Sequence, residues 1–298
     1  MLLRMKLLID SFWRAAAYCL HPRVIALSLM PLLLMAVAAL GLGYFLWDPA
    51  LAWVRAGLET QVWLGSVMTW FDSMGIGGLQ ALLAPLLIVF LAMPVIVIVS
   101  LLVVAALMTP AMLNLVAERR FQSLERRHGG STTAGVFASL GATLMALVAL
   151  VLSIPLWFVP PLVLILPPLI WGWLTYKVMT YDVLAEHATK EERREIVRRH
   201  RSALLGMGVL TGYLGAAPSL LWASGVLFLA LAPVLVPVAI WIYTLVFAFS
   251  ALWFSHYALA ALLSLRAERA AMSMQASPAA SPATVPEASA GLLPPPLI

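Results

Sequence analysis

The sequence predicts an all-α integral membrane protein with two long transmembrane helices, two Pro-interrupted helix hairpins and amphipathic surface helices. Three observations predict it. Of the 298 residues, 63% are hydrophobic and only 10% are charged, and the mean hydropathy is +1.00. The apolar runs are continuous and far exceed the roughly 20 residues that a spanning helix needs. The charges gather in a few blocks between those runs. A β-barrel would instead show short segments of alternating polarity. Anionic lipid headgroups account for the net charge of +5, so the bilayer is the expected partner and nucleic acid is not. Cys19 is the single cysteine, so no internal disulfide reports a redox compartment.

The elements follow in chain order. Residues 1–23 carry Arg4, Lys6, Arg14 and Arg23 against Asp10. Asp10 and Arg14 interrupt this stretch before an apolar core begins, so it reads as an interfacial helix and not a signal peptide. A membrane domain over 24–265 follows. Val24–Trp47 is the first span, about 36 Å as helix. Residues 48–72 mix Trp53, Trp63 and Trp70 with sparse charge, the pattern of an interfacial helix on the opposite face. Ile76–Ala117 has no charge and would be roughly 63 Å as one helix, so it must tilt, protrude or bend at Pro85, Pro94 or Pro110. Residues 273–298, rich in Ala, Pro and Ser, form a tail expected to be disordered.

Two further uncharged runs, Gly129–Tyr176 and Ser202–Leu265, are each long enough for a helix, a turn and a returning helix. With both as hairpins, 17 of the 18 Lys and Arg residues share one side and only Arg55 lies opposite. The positive-inside rule then places both termini in the cytoplasm. Prolines 155, 160, 161, 167 and 168 crowd the first hairpin and favour short or partly penetrating helices over two regular crossings. The stretches "PPLIWGW" from Pro167 and "PVAIWIY" from Pro237 are weakly alike, as in folds built from inverted repeats.

Residues 177–201 form a charged cytoplasmic connector between the hairpins. Within it, "TKEE" reads as a capping box, with Thr189 as N-cap and Glu192 at N3. Glu191 and Glu192 complement the positive end of the helix dipole, Arg198, Arg199 and Arg201 its negative end, and Glu195–Arg199 is a favourable i,i+4 pair. The block is a self-stabilised surface helix that runs into the next membrane segment. It serves as a topology anchor, or as a gate, an anion funnel or a docking face.

The residues show no enzyme. Histidines 21, 128, 187, 200 and 256 are scattered without metal-ligand spacing, no Walker A motif is present, and neither a metal nor a cofactor is expected. His256, in "WFSHYAL", reads as a hydrogen-bonded bundle histidine. Gly208 and Gly212 have the GxxxG spacing that marks close helix packing.

Three stretches, "AYCLHPRVIALSLMPLLL", "TPAMLNLVAERRFQSLE" and "YDVLAEH…EERREIVRRHRSALLGMGVLTGYLGAAP", resemble the CysZ-type sulfate permease and etoposide-induced membrane protein family over residues 10 to 265. The resemblance implies two long spanning helices, two partly penetrating hairpins, homo-oligomers, and sulfate uptake across a bacterial inner membrane. The family's middle motif falls on Pro110, Asn114 and Glu118, and its Tyr-Asp on Tyr181 and Asp182. The sulfate permeases carry a Pro-Gly-aliphatic-Arg-Arg motif at the first long helix. Here Pro22 matches, Arg23 replaces the glycine, and Ile25 and Ala26 stand in place of the arginines. A helix start with arginine is a physical anion site, so His21 and Arg23 are the candidate anion-binding residues. The expected function is a permease for sulfate or a similar small anion, with a non-transporting scaffold or biogenesis factor of the same fold as the alternative.

Overall fold

The computed structural model describes residues 2–59, 79–127, 129–130, 132–217 and 226–276. Among them the regular elements are all helical: α1 (Leu2–Cys19), α2 (Pro22–Phe45), α3 (Trp47–Glu59), α4 (Leu79–Arg120), α5 (Thr132–Ser153), a 3₁₀ turn (Ile154–Phe158), α6 (Pro160–His187), α7 (Lys190–Ala216) and α8 (Val226–Ala276). Five stretches, 22–57, 83–120, 135–158, 160–187 and 234–275, are long and apolar enough to cross a membrane.

Local chemistry explains the boundaries. Pro22 stands in the first turn of α2, where its missing N–H costs nothing. The helix therefore starts two residues before the expected span and ends at Phe45, with α3 following from Trp47. α4 holds Pro85, Pro94 and Pro110 without ending, and its last turn carries Arg119 and Arg120 at the negative end of the dipole. In the first hairpin, Pro155 lies in the 3₁₀ turn and Pro160 opens α6, while Pro167 and Pro168 sit inside that helix. Both legs are thus long and apolar enough to cross a membrane. The short leg is in the second hairpin. The uncharged part of α7, residues 202–216, reaches only about 22 Å as helix, less than the roughly 30 Å hydrocarbon core.

Both hairpins are antiparallel by their contacts. The Gly130 amide donates to the Ala185 carbonyl at 3.0 Å, joining the start of α5 to the end of α6. An ion pair of 2.8 Å links Arg199 near the start of α7 to Glu268 near the end of α8. α8, apolar along most of its length, is the core of the bundle and packs on α1, α2, α4, α6 and α7. Its Trp253, Phe254, Tyr257, Leu259 and Leu262 are fully buried. The Trp253 indole donates to the Leu8 carbonyl at 3.3 Å and packs edge-on against Phe12.

Three expectations change. His256 is fully buried, but neither ring nitrogen has a hydrogen-bond partner; the ring packs edge-on against Tyr18 at 4.9 Å. The weak internal repeat joins unlike environments: Trp241 donates to Ser28 Oγ at 3.0 Å, whereas Trp171 is exposed. Residues 273–276, expected in the disordered tail, continue α8, while 277–298 lie outside the described residues, as do Trp63 and Trp70.

Candidate functional site

The site begins with glycines. A Cβ on Gly172 of α6 would lie 2.6 Å from Val209 Cα, and one on Gly212 of α7 would lie 2.5 Å from the Pro168 carbonyl. Gly208 faces the Gly172 carbonyl equally closely. The two helices therefore touch backbone to backbone, as the GxxxG spacing predicts. Toward the charged end the facing side chains become large, and the helices enclose a cleft of about 670 Å³.

Trp173, Tyr176, Lys177, Thr180 and Tyr181 line the cleft from α6, and Arg193, Arg194, Arg198 and Arg201 from α7. Five of the eleven lining residues are basic and none is acidic. Lys177 lies over the rings of Trp173 and Tyr176 at 5.7 and 5.6 Å, and the Arg193 guanidinium stacks 4.5 Å from the Tyr181 centroid. The Thr180 hydroxyl is buried without a hydrogen-bond partner. The signal for this site was in the sequence. Residues 173, 176, 177, 180 and 181 form a stripe at helical spacing, and 194, 198, 201 and 205 form a second. Each was legible as a face, but not that the two faces oppose one another.

The same end of α7 holds a second cluster, built on pairing. Thr189 is the N-cap, and the capping box is complete: Glu192 N–H donates to Thr189 Oγ1 at 3.2 Å, and Thr189 N–H donates to Glu192 Oε2 at 2.9 Å. Glu192 is 1% exposed and accepts a fork of two 3.0 Å bonds from Arg266 of α8. Arg266 also donates to the His187 carbonyl at 2.6 Å and the Glu125 carbonyl at 2.9 Å. Burial alone would raise the Glu192 carboxyl, but the bonds from Arg266 and Thr189 and the charges of Arg266 and Arg127 outweigh it and hold the group below the usual carboxylate value. α7 bends just beyond, at His200, whose Nδ1 lies 2.8 Å from the Tyr257 hydroxyl. Glu195 takes both Arg198 and Arg199. Nearby, Arg14 draws the Asp10 carboxyl down, with help from Arg120, despite some burial; burial pushes the Cys19 thiol up to about 11.

A family model described as Sulfate transporter CysZ/Etoposide-induced protein 2.4 matches residues 11–224. The chain belongs to this family. No curated protein and no solved structure matches it significantly. The match stops short of the residue 265 expected from the sequence, so α8, the core helix, follows the matched region.

The family-motif positions fall in three places. Pro110 is exposed within α4, and Glu118 is exposed near its end. Asn114 is tied to the first hairpin: Arg126 donates to Asn114 Oδ1 at 3.3 Å and pairs with Glu186 of α6 at 2.8 Å. Tyr181 walls the cleft, and the adjacent Asp182 is half-buried. Pro22, His21 and Arg23 stand apart at the start of α2. His21 is the N-cap, and its Nδ1 accepts the Arg23 N–H at 3.2 Å. The amides of Val24 and Ile25 donate to the His21 carbonyl at 2.9 and 3.1 Å. The amides at this helix start are thus taken internally, and what an anion would meet there is the exposed Arg23 guanidinium. Among the described residues, no group of three or more His, Cys, Asp or Glu side chains is placed to hold a metal ion.

Proposed function

We propose that this multi-pass membrane protein is a bacterial inner-membrane permease for sulfate or a similar small anion. The observation that carries the reading is the family match over residues 11–224. The charge distribution supports it. Ion pairs join Asp10, midway along α1, to Arg120 at the end of α4, Arg126 to Glu186 near the end of α6, and Arg127 and Arg266 to Glu192 at the start of α7, and so gather charge at one end of the bundle. By the positive-inside rule this end faces the cytoplasm, with both termini. Arg23, at the mouth of the first span, has no carboxylate partner among the described residues and offers a free forked donor to an oxyanion.

Flux of radiolabelled sulfate into proteoliposomes tests the function. Uptake should follow the sulfate gradient and be reduced by competing small oxyanions. Arg23→Ala should lower it strongly, and Arg23→Lys should restore it in part, since lysine keeps the charge but loses the fork. No flux at any gradient would reject sulfate and leave the scaffold. Orientation is tested by single-cysteine labelling in a Cys19→Ser background: a membrane-impermeant reagent added outside should not reach a cysteine at position 190.

A further inference from the structure

We propose that the cleft between α6 and α7, together with the apolar groove beside it, is one binding site for an anionic phospholipid, with the phosphate headgroup in the cleft and an acyl chain in the groove. This inference stands apart from the transport reading and does not need it.

Charge is the first argument. Arg194, Arg198 and Arg201 are spaced i, i+4, i+7 on one helix face, where like charges destabilise a helix. Arg193 and Lys177 add to the same space, and no carboxylate lines it. The cluster next door treats its arginines otherwise. Arg120, Arg126, Arg127 and Arg266 each meet an acidic side chain within 3.4 Å. Among the described residues, only Arg198 of the cleft has such a partner, Glu195. An anion is the missing complement, and a phosphate accepts from several arginines at once.

Burial is the second argument. Thr180 lines the cleft and is 3% exposed, and its buried hydroxyl has no hydrogen-bond partner. A buried hydroxyl left unpaired is costly and rare. A phosphate oxygen in the cleft satisfies it.

The third argument decides that the anion is carried by a lipid. A second cavity of about 300 Å³ opens between α5 and α6 and shares Trp173, Lys177 and Tyr181 with the cleft. Its remaining lining is apolar apart from Ser139: Ala138, Ala142, Met145 and Val178. Tyr181 is the partition, pinned on one side by Arg193 and on the other by Gly135, where a Cβ would lie 2.7 Å from the ring. A free sulfate or phosphate ion would use the cleft and none of this groove. A headgroup joined to a hydrocarbon chain uses both. The aromatic belt of Trp173, Tyr176 and Tyr181 marks the depth where headgroup meets hydrocarbon, and basic pockets between helices at that depth suit acidic headgroups.

The test is native mass spectrometry of the full chain, purified in detergent and titrated with phosphatidylglycerol or phosphatidylcholine. Phosphatidylglycerol should be retained and phosphatidylcholine should not. Arg194→Gln with Arg201→Gln, both on exposed positions, should weaken phosphatidylglycerol binding roughly thirty-fold, because each basic residue near an anionic headgroup is worth about fivefold. Ala142→Trp fills the groove and should abolish lipid retention while leaving sulfate binding, measured by isothermal titration, unchanged. Unchanged thermal unfolding of each variant confirms its fold. Equal retention of the two lipids, or retention indifferent to the arginine pair, overturns the proposal. So does an arginine pair that matters for sulfate alone while Ala142→Trp changes nothing, which assigns the cleft to a free oxyanion. Sulfate flux is a separate readout, so loss of lipid binding with flux intact rejects this inference without touching the permease.

Discussion

The first turns of α7 treat positive charge in two ways, less than three helical turns apart. On the face toward α8, the largely buried Arg266 packs against the buried Glu192, and each of its three guanidinium nitrogens is spent on Glu192, His187 or Glu125. On the face toward α6, Arg193, Arg194 and Arg201 line an open cleft without a carboxylate. The first arrangement is complete in the folded chain, so it serves stability. A largely buried pair in which every guanidinium nitrogen is bonded fixes which elements meet, even though desolvation consumes much of its attraction. The second arrangement is incomplete in the folded chain, so its completion comes from outside.

The largest expected effect breaks the first arrangement. Glu192→Gln leaves the Arg266 charge inside without its counter-charge, and loss of one partner of a buried pair costs about 3–5 kcal/mol. Thermal unfolding in detergent should show it, and Glu192→Leu with Arg266→Met should recover most of the loss. Arg194→Ala and Arg201→Ala, in contrast, should leave the melting temperature unchanged or higher, because they relieve like-charge repulsion. If they destabilise as Glu192→Gln does, the two faces are not different in kind.

The next effect sharpens the cause of the cleft. Gly208→Leu puts a side chain where the Gly172 carbonyl already lies, so α6 and α7 must separate. Overpacking of this kind costs about 1–3 kcal/mol. It should also widen the cleft and raise labelling of a cysteine placed at position 180. Unchanged labelling would mean that the glycine contact does not set the opening.

Thr189→Ala should cost about 0.5–2 kcal/mol of local helix stability by removing the cap. Hydrogen exchange should quicken at residues 190–195 and little elsewhere. The smallest effect is a pH dependence. The folded-state pKa of Glu192 is lowered, so its contribution is full above the unfolded carboxylate value, near 4.3, and is lost as pH falls through the folded value. Wild-type stability should therefore fall more steeply below about pH 4.3 than that of Glu192→Gln. Parallel acid profiles would show that Glu192 does not titrate with unfolding.

The sequence by itself determined the class, the helical elements and the chemistry of each helix end. These are local properties. An apolar run longer than the hydrocarbon core must be a helix in lipid, because no water remains to satisfy its backbone. Thr189 and Glu192 form a capping box within one turn, Glu195 reaches Arg199 one turn on, and Gly208 and Gly212 mark a close helix contact. Tertiary structure decided what those residues are for. Glu192 looked like one more dipole-complementing carboxylate; it is the buried partner of a residue 74 positions away. Trp173, Tyr176, Lys177 and Thr180 gave no site alone, because a stripe on one helix becomes a cleft only when α7 brings its arginines opposite. Candidate anion residues at His21 and Arg23 were read from a helix start whose amides the fold satisfies internally. Periodicity fixes which side chains share a face. Which faces meet depends on packing between segments far apart in the chain, and no local pattern encodes that pairing.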